Sequence, residues 1–566
     1  MKRSISLRFF LPKASLVALG LGFLCTEVVG QEPSDSSEAS PSESLNAFEE
    51  SERRIRANAH FAAGIGFHSK GEVENAAKEL LSAAETDPNN APLISRVAEK
   101  LLAWRLPTLA LQVLENATQE DDAPVSVFIQ KGLTLKALGK EAESLDVFKQ
   151  ALAISPGNAE ARQAIVAARL KEKDFPGAVT LIREGVALPS LSGEQLIGLV
   201  GLYLQTITSS PNLLTELKDE FQSLLDRTEK FDIDVPGQQV ILADGFIFVG
   251  ETDRAQTLLQ SVVKKAPDTA LAREKLVDLY LRQGMTADAV AELNTLLDIN
   301  PNNPSAHYLL GSIAADGEEY TDAIFHYEKA IEIRPEFEPP YYEMVGIHLN
   351  TRQPRKALRV LQKARSRFPK RFLSEFYSGI AMASLRRTSE ALTFLTEAET
   401  IASSQAPQRL TPFFYFQLGS MLERNGFYER AEEKFLKSLE ANPDDPETLN
   451  YLGYMWAEQG KKLRQASAWI EKAIELDPDS AAIQDSMGWV LFQKGEYKKA
   501  LPYLLNAEAG LDQPDPVILD HLGDTYEALE QFDKAIKVWE ASLELEFNER
   551  IFEKLQTAKQ SINESK

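Results

Sequence analysis

The feature that most constrains the fold of this chain is a set of small residues and prolines that return every 34 positions. They stand at Pro267, Pro301, Pro335 and Pro369, and at Ala255, Ala289, Ala323, Ala357 and Ala391. The apolar residues between them follow the period of an amphipathic helix. A period of this length predicts an array of stacked units, because one compact core rarely grows beyond about 300 residues.

Each unit has its own internal spacing, seen most clearly at Gly311, Ala323, Ala330 and Pro335. Small residues at the first three places allow two helices to pack with their backbones close, and the proline stops the second helix. Related spacings continue from Gly64 to Ala535, which gives fourteen units between residues 57 and 549. The fifth unit, residues 192–235, lacks the alanines and is assigned by position.

This pattern resembles the tetratricopeptide repeat, a 34-residue helix-turn-helix unit with small residues in both helices and a closing proline. The resemblance implies an all-α fold, a right-handed α-solenoid superhelix of such repeats. It divides the chain into N-terminal repeats at 55–235, C-terminal repeats at 236–549, and a capping helix and tail at 550–566. It also implies a concave groove, lined mainly by the first helix (helix A) of each repeat, that binds chains.

The N-terminus has the order of an export signal. Residues 1–13 are basic, residues 14–25 are an apolar run too short to span a bilayer comfortably, and Val28 and Gly30 suit a cleavage site. We therefore expect a signal peptide at 1–30 and an exported protein of the bacterial periplasm or cell envelope, with an uncleaved anchor as the alternative. Cleavage would remove Cys25, the single cysteine. Residues 31–54, rich in Ser, Pro and Glu, are predicted to form a flexible tether.

Charge and motifs exclude several functions. Lys and Arg number 61 against 84 Asp and Glu, a net charge of −23, which argues against a nucleic-acid partner. The six histidines form no HExxH motif, and the glycine-containing stretch at 132–141 has neither the spacing nor the Ser or Thr of a phosphate loop. We therefore predict no enzyme activity, no catalytic residues, no cofactor and no metal.

A ligand groove is predicted from the helical register. With Gly311 facing the core, Tyr308 falls on the adjoining flank, which lines the groove in the tetratricopeptide family. Equivalent or neighbouring places give the candidate groove residues Tyr308, Tyr342, Phe376, Phe416, Tyr454 and Trp489, followed by the acidic Asp485, Asp520, Asp524 and Glu527. The alternative is that the aromatic rings belong to the core and the carboxylates to a solvated face.

Two functions remain open at this stage. The first is a non-catalytic protein-protein interaction scaffold of the cell envelope that binds an extended, apolar or basic partner segment in the groove. The second is an accessory subunit of polysaccharide synthesis or export that binds a glycan there by ring stacking. Lys and Arg are absent from the Tyr308-equivalent place in the regular units, so the basic clamp by which some relatives hold a terminal carboxylate has no counterpart.

Overall fold

A computed structural model describes residues 41–118 and 123–565, with side-chain surroundings for residues 48–118 and 123–560. Within this part of the chain the regular elements are α-helices, apart from one short 3-10 helix at Pro407–Arg409, and no strand occurs. None of the described helices is long and apolar enough to span a membrane. The predicted all-α repeat fold is therefore confirmed. The predicted signal peptide lies outside the described residues.

The described residues form two compact units that divide between residues 232 and 233. The helices of the first unit are α1 Pro41–Ser69, α2 Val73–Thr86, α3 Ala91–Ala103, α4 Pro107–Ala117, α5 Val125–Ala137, α6 Glu141–Ile154, α7 Ala159–Lys171, α8 Phe175–Val186, α9 Gly193–Ser209 and α10 Leu213–Thr228. Odd-numbered helices are helix A of a repeat, and even-numbered helices are helix B. Each pair forms a hairpin that packs on the next hairpin of its unit.

The second unit continues the same order and ends with an additional helix. Its helices are α11 Pro236–Val249, α12 Thr252–Lys265, α13 Ala270–Gln283, α14 Thr286–Ile299, α15 Pro304–Asp316, α16 Tyr320–Ile333, α17 Pro339–Asn350, α18 Pro354–Arg365, α19 Phe372–Ser384, α20 Thr388–Gln405, α21 Pro412–Arg424, α22 Tyr428–Ala441, α23 Pro446–Glu458, α24 Leu463–Leu476, α25 Ala481–Gln493, α26 Tyr497–Ala509, α27 Pro516–Ala528, α28 Phe532–Leu545 and α29 Glu549–Ser565.

Residues 304–337 show why the sequence forms this hairpin. The Asn303 side chain caps α15 by accepting hydrogen bonds from two backbone N–H groups at 3.1 Å, and Pro304 occupies the first helical position. On α16, Ala323 is completely buried. A Cβ atom at Gly311 would lie 2.8 Å from the Tyr327 ring. The small residues therefore set the close distance between the two helices.

The divergent fifth repeat is also a pair of helices, α9 and α10, joined at Ser210–Asn212. Its core uses larger side chains where the regular repeats use alanine. Tyr203 on α9 stacks on Phe221 of α10 with ring centroids 5.3 Å apart, and both are buried. The loss of the alanine signature therefore reflects a different packing of the same hairpin.

The start of α1 corrects one expectation. The helix begins at Pro41, so the prediction of a flexible tether is wrong for residues 41–54. Two ion pairs stabilise this part of α1. Arg54 pairs with Glu50 one helical turn earlier, and Arg53 Nε lies 3.2 Å from Oδ1 of Asp87, the residue that follows α2. Residues 31–40 lie outside the described part of the chain.

Candidate binding face

The candidate site lies along helix A of the repeats in the second unit. Counting Pro304 as position 1, we define the helix-A face as positions 2, 5, 9, 12 and 13 of each repeat, which share one side of helix A at helical spacing. Position 5 is occupied in successive repeats by Tyr308, Tyr342, Phe376, Phe416, Asn450, Asp485 and Asp520. The face therefore begins aromatic and becomes polar and acidic towards the C-terminus.

The first two predicted aromatic residues pack mainly against side chains of their own repeats. The Tyr308 ring lies 5.1 Å from Phe337 and 5.8 Å from Tyr327, and burial raises the pKa of its hydroxyl. Tyr342 is 8% exposed, and its hydroxyl donates to Glu338 Oε1 at 3.2 Å. Most of each ring is thus in contact with protein, and their role as ligand contacts stays a prediction.

Phe376 and Phe416 have a similar environment. Phe376 is half-buried and stacks on Phe372 at 5.4 Å, whereas Phe416 is 8% exposed and lies 5.4 Å from Tyr451. The Phe376 ring also lies 5.8 Å from Phe414 of the next repeat, so both rings join consecutive repeats in an aromatic seam, and only part of the Phe376 ring reaches solvent. A contact of either ring with a ligand stays a prediction.

Tyr454, Trp489 and Asp485 meet around one buried histidine. His521 Nδ1 lies 2.8 Å from Asp485 Oδ1, and the imidazole stacks on Trp489 at 4.0 Å and faces Tyr454 at 6.3 Å. Burial opposes the charged imidazolium, but the carboxylates of Asp485, Asp520 and Glu458 together raise the pKa of His521. The structure therefore brings three of the predicted residues together around His521, which was not among the predicted site residues.

The acidic end of the face is partly occupied by the chain itself. Lys554 of α29 donates to Asp520 Oδ1 at 2.8 Å and to Asp524 Oδ2 at 2.7 Å. Trp539 Nε1 also donates to Asp520 Oδ1 at 3.0 Å. Of the four predicted carboxylates, Glu527 alone has no ion pair or side-chain hydrogen bond with the described residues, and burial raises its pKa.

Several carboxylates on or beside this face lack a counter-ion. Desolvation by the surrounding protein is the first cause that raises the pKa of each member of the set Asp316, Glu343, Glu423, Glu447 and Glu527, although the side chains of Asp316, Glu343 and Glu447 are exposed. None of the five forms an ion pair or a side-chain hydrogen bond within the described residues. By contrast, a hydrogen bond from lysine lowers the pKa of helix-B carboxylates such as Glu332 and Glu433. The helix-A face therefore carries negative charge that the fold does not neutralise.

A cleft opens on this face between the repeats that begin at residues 412, 446 and 481. Its volume is about 500 Å³, and its walls include Glu423, Asn450, Tyr454 and Asp485. The Oδ1 atom of Asn450 is buried without a hydrogen-bond partner among the described residues. An unpartnered amide oxygen beside two carboxylates can accept hydrogen bonds from a backbone N–H group and from a cation.

Sequence reasoning missed Asn450, Glu423 and Glu343. Asn450 could have been found, because it holds the same register position as Tyr308 four repeats earlier. The absence of an ion pair at Glu423 and Glu343 could not have been predicted, because it depends on which basic side chains lie near them in the folded protein. Within the described residues no group of three or more metal-binding side chains occurs.

Comparison with known proteins identifies the repeat. A family model described as tetratricopeptide repeat matches residues 264–538, and a second model of the same description matches residues 125–158. The TPR repeat-containing protein PA4667 of Pseudomonas aeruginosa is 27% identical over 222 residues, 39% of this chain and 36% of that protein. The human mitochondrial import receptor subunit TOM70 is 20% identical over 300 residues, 50% of this chain and 43% of the relative. The chain thus matches less than half the length of either protein.

Solved structures of repeat proteins also match. The APC/C hetero-tetramer Cut9-Hcn1 has a TM-score of 0.36 at 14% identity, with 82% of this chain and 89% of that chain covered. The TPR protein YrrB has a TM-score of 0.30 at 18% identity, with 34% of this chain and 95% of that chain covered.

Proposed function

Because this chain is a tetratricopeptide repeat protein, we propose that it is a non-catalytic scaffold that binds an extended basic segment of a partner protein on its helix-A face. Proteins of this family serve as protein-protein interaction scaffolds. The choice of a basic segment depends on one observation, the set of helix-A carboxylates that form no ion pair with the described residues and whose pKa is raised. A lysine or arginine from outside would offset the partial desolvation of these charges.

The contact of Lys554 with Asp520 and Asp524 supports this proposal from within the molecule. A lysine of α29 reaches two acidic side chains of the face and satisfies both of them. The upstream carboxylates Glu423 and Glu447 have no such lysine. A basic segment laid along helix A would make the same kind of contact, and Asn450 Oδ1 would hold its backbone.

A glycan in the same groove is the weaker proposal. Sugar rings stack on aromatic faces that are open to solvent, whereas the rings of Tyr342, Phe416 and Trp489 are at most 8% exposed. The polar groups that remain accessible on this face are predominantly acidic. They favour a cationic partner over a neutral polymer.

The proposed scaffold works outside the cytoplasm. Support comes from the basic, apolar and small-residue order of residues 1–30, which suits an export signal. Mass spectrometry of the protein purified from its native host should find an N-terminus near Gln31. An intact N-terminus on protein from the cytoplasmic fraction would contradict export and leave the binding proposal standing.

Binding is tested with a short fluorescent peptide of alternating Lys and Thr residues and full-length protein. We expect measurable binding that weakens as salt increases, and at least a tenfold loss of affinity in the double variant Glu423→Gln with Glu447→Gln. The matched control is Glu429→Gln with Glu440→Gln, which removes the same charge from exposed positions on helix B. Equal losses of affinity in the two double variants would show that binding depends only on the net charge of the protein, which would contradict a site on helix A.

A further inference from the structure

A second surface, on the opposite side of the repeats, has the reverse charge. Residues 344–374 contain no Asp or Glu and nine Lys or Arg, in a chain whose net charge is −23. Three of the nine are paired: Arg365 with Glu375, Lys370 with Glu397, and Arg371 with Glu338. The other six are exposed and form no ion pair within the described residues: Arg352, Arg355, Lys356, Arg359, Lys363 and Arg367.

Several other helices B in this protein pair a lysine with a carboxylate of the same helix. Lys329 lies 2.8 Å from Glu332 on α16, Lys437 lies 2.9 Å from Glu433 on α22, and Lys149 lies 2.9 Å from Asp146 on α6. Helix α18 cannot do this, because it contains no carboxylate. Its basic side chains therefore have no carboxylate of the same helix to pair with.

The charges on α18 also oppose its own stability. Arg355, Arg359 and Lys363 follow one another at i, i+4 spacing, where like charges destabilise a helix. Arg355 and Lys356 lie in the first turn, where the helix dipole disfavours cations. An acidic partner would relieve both effects, and nothing in the packing of α18 requires these residues to be basic.

The basic side of α18 forms one wall of a cleft. We name this the α18 cleft: it has a volume of about 580 Å³ between α16, α17 and α18, a size typical of ligand-binding clefts. Lys356, Arg359 and Lys363 form the basic wall, and Glu328 and Glu332 lie on the α16 side. Glu332 is neutralised by Lys329, which leaves the cleft positive on balance.

The floor of the α18 cleft is apolar, with one polar atom. Tyr341, Met344 and Val360 lie there, together with Ile324 and Ile331 of α16. His348 also lines the floor, is 6% exposed, and has a buried Nδ1 atom without a hydrogen-bond partner among the described residues. Burial, followed by Lys356 and Arg359, lowers the pKa of His348, which keeps the imidazole neutral at pH 7.

We propose that the α18 cleft is a second docking site and that it binds an acidic amphipathic helix of a partner protein. The apolar side chains of that helix would enter the floor, and its carboxylates would face Lys356, Arg359 and Lys363. These three are spaced i, i+3 and i+7, as are Tyr341, Met344 and His348 on the floor. Each row spans about 10 Å, or two turns of a helix. The apolar stripe of one amphipathic helix therefore matches the length of the floor, and its acidic flank matches the length of the basic wall.

The other anionic partners fit the cleft less well. Nucleic acid offers phosphates but no apolar stripe for the floor, and the acidic remainder of the chain repels it. A membrane surface could contact the basic side chains but would not reach a floor recessed between three helices. The proposal does not depend on the helix-A face, because the two surfaces share none of their residues.

The test is a display selection on immobilised full-length protein. The probe is a library of helix-forming peptides with a fixed leucine stripe, in which the flanking positions vary among Glu, Lys, Ser and Ala. We expect enrichment of peptides with Glu along one flank, and at least a tenfold weaker dissociation constant, measured by fluorescence anisotropy, for the variant Lys356→Glu with Arg359→Glu. Enrichment of peptides with Lys at the flanking positions, or of peptides without any preferred charge there, would overturn the proposal.

A matched control exists in the equivalent cleft between α24, α25 and α26. There Lys498→Glu with Lys499→Glu produces the same charge change at the places equivalent to Arg355 and Lys356. Affinity of the selected peptides should change less than twofold. An equal loss in this control would reduce the binding to net charge and overturn the proposal. Phosphatidylglycerol vesicles form a second arm: binding to vesicles without any peptide enrichment would assign the surface to lipid and overturn it as well.

Discussion

At the scale of single residues, glycines and aromatic rings determine how closely the helices approach. Gly311 faces the Tyr327 ring, and Gly379 faces Leu395 with 2.6 Å between its notional Cβ and the leucine Cγ. Gly346 on α17, in contrast, has no heavy atom within 4 Å of that place. Gly311 and Gly379 hold the eighth position of their repeats and Gly346 the ninth, so glycines of helix A differ in role, and their neighbours decide which of them is essential.

Substituting these glycines should separate packing from helix propensity. Gly311→Ala adds a methyl group against Tyr327, and we expect a loss of about 1–3 kcal/mol in the free energy of unfolding. Gly346→Ala adds a methyl group in open space and should be neutral or stabilising by up to about 1 kcal/mol, because Ala is the better helix former. Urea unfolding measures both. Equal effects of the two changes would contradict the close approach at Gly311.

The aromatic seam gives a second test at this scale. Phe416 is 8% exposed between Phe435 and Tyr451, so Phe416→Ala should cost about 3–5 kcal/mol. Phe413, on the same helix and 59% exposed, is the control, and its replacement by Ala should cost about 0.5 kcal/mol or less. Thermal unfolding and peptide binding should be measured together. Lost binding with unchanged stability for Phe416→Ala would assign the ring to the ligand instead of the seam.

At the scale of elements, helix A and helix B differ in how their charges are balanced. On helix B, carboxylates pair with lysines three or four residues away, as Glu433 does with Lys437. On helix A, Glu343 is exposed, yet the surrounding protein raises its pKa, and the nearby Asp316 raises it further. The acidic helix-A face and the basic α18 cleft are therefore properties of particular helices within an acidic chain.

The raised pKa of Glu343 predicts a pH-dependent stability. A carboxyl group whose folded-state pKa is raised above its usual 4.5 destabilises the fold where it is ionised, and this penalty disappears as pH falls through the raised pKa. Glu343→Gln should therefore raise Tm at pH 7, and the advantage should shrink towards pH 4.5. Calorimetry across this range measures it. A lower Tm for the variant at pH 7 would show that the carboxylate has a stabilising partner.

At the scale of the whole molecule, the 34-residue period makes the repeat fold predictable from sequence. Ala255 to Ala391 and Pro267 to Pro369 hold that register, because every hairpin meets the same packing requirement. The helical residues 41–54 were not predictable, because Arg53 finds its partner Asp87 only after α2 folds back. The same limit applies to the site: the place of Asn450 follows from the register, whereas the capture of Asp520 by Lys554 depends on contacts 34 residues apart.

Stacking of the repeats predicts that damage spreads to neighbours. Ala323 is completely buried between α15 and α16, and Ala323→Trp would force the two helices apart, with overpacking that typically costs about 1–3 kcal/mol. Hydrogen exchange should accelerate in residues 304–337 and also in the adjoining repeats 270–303 and 338–371. Acceleration confined to residues 304–337 would contradict the nearest-neighbour description.

The central claim, that a basic segment lies along helix A, is tested most directly by position-specific photo-crosslinking. In one variant a benzophenone amino acid replaces Ala482, an exposed residue that lines the cleft on the helix-A face beside Asn450. In a second variant it replaces Leu505, which is 39% exposed on helix B of the same repeat. After irradiation with the Lys-Thr peptide, we predict a crosslink at position 482 that excess unlabelled peptide suppresses, and none at position 505. A crosslink at 505 alone, or equal yields at both positions, would contradict the account.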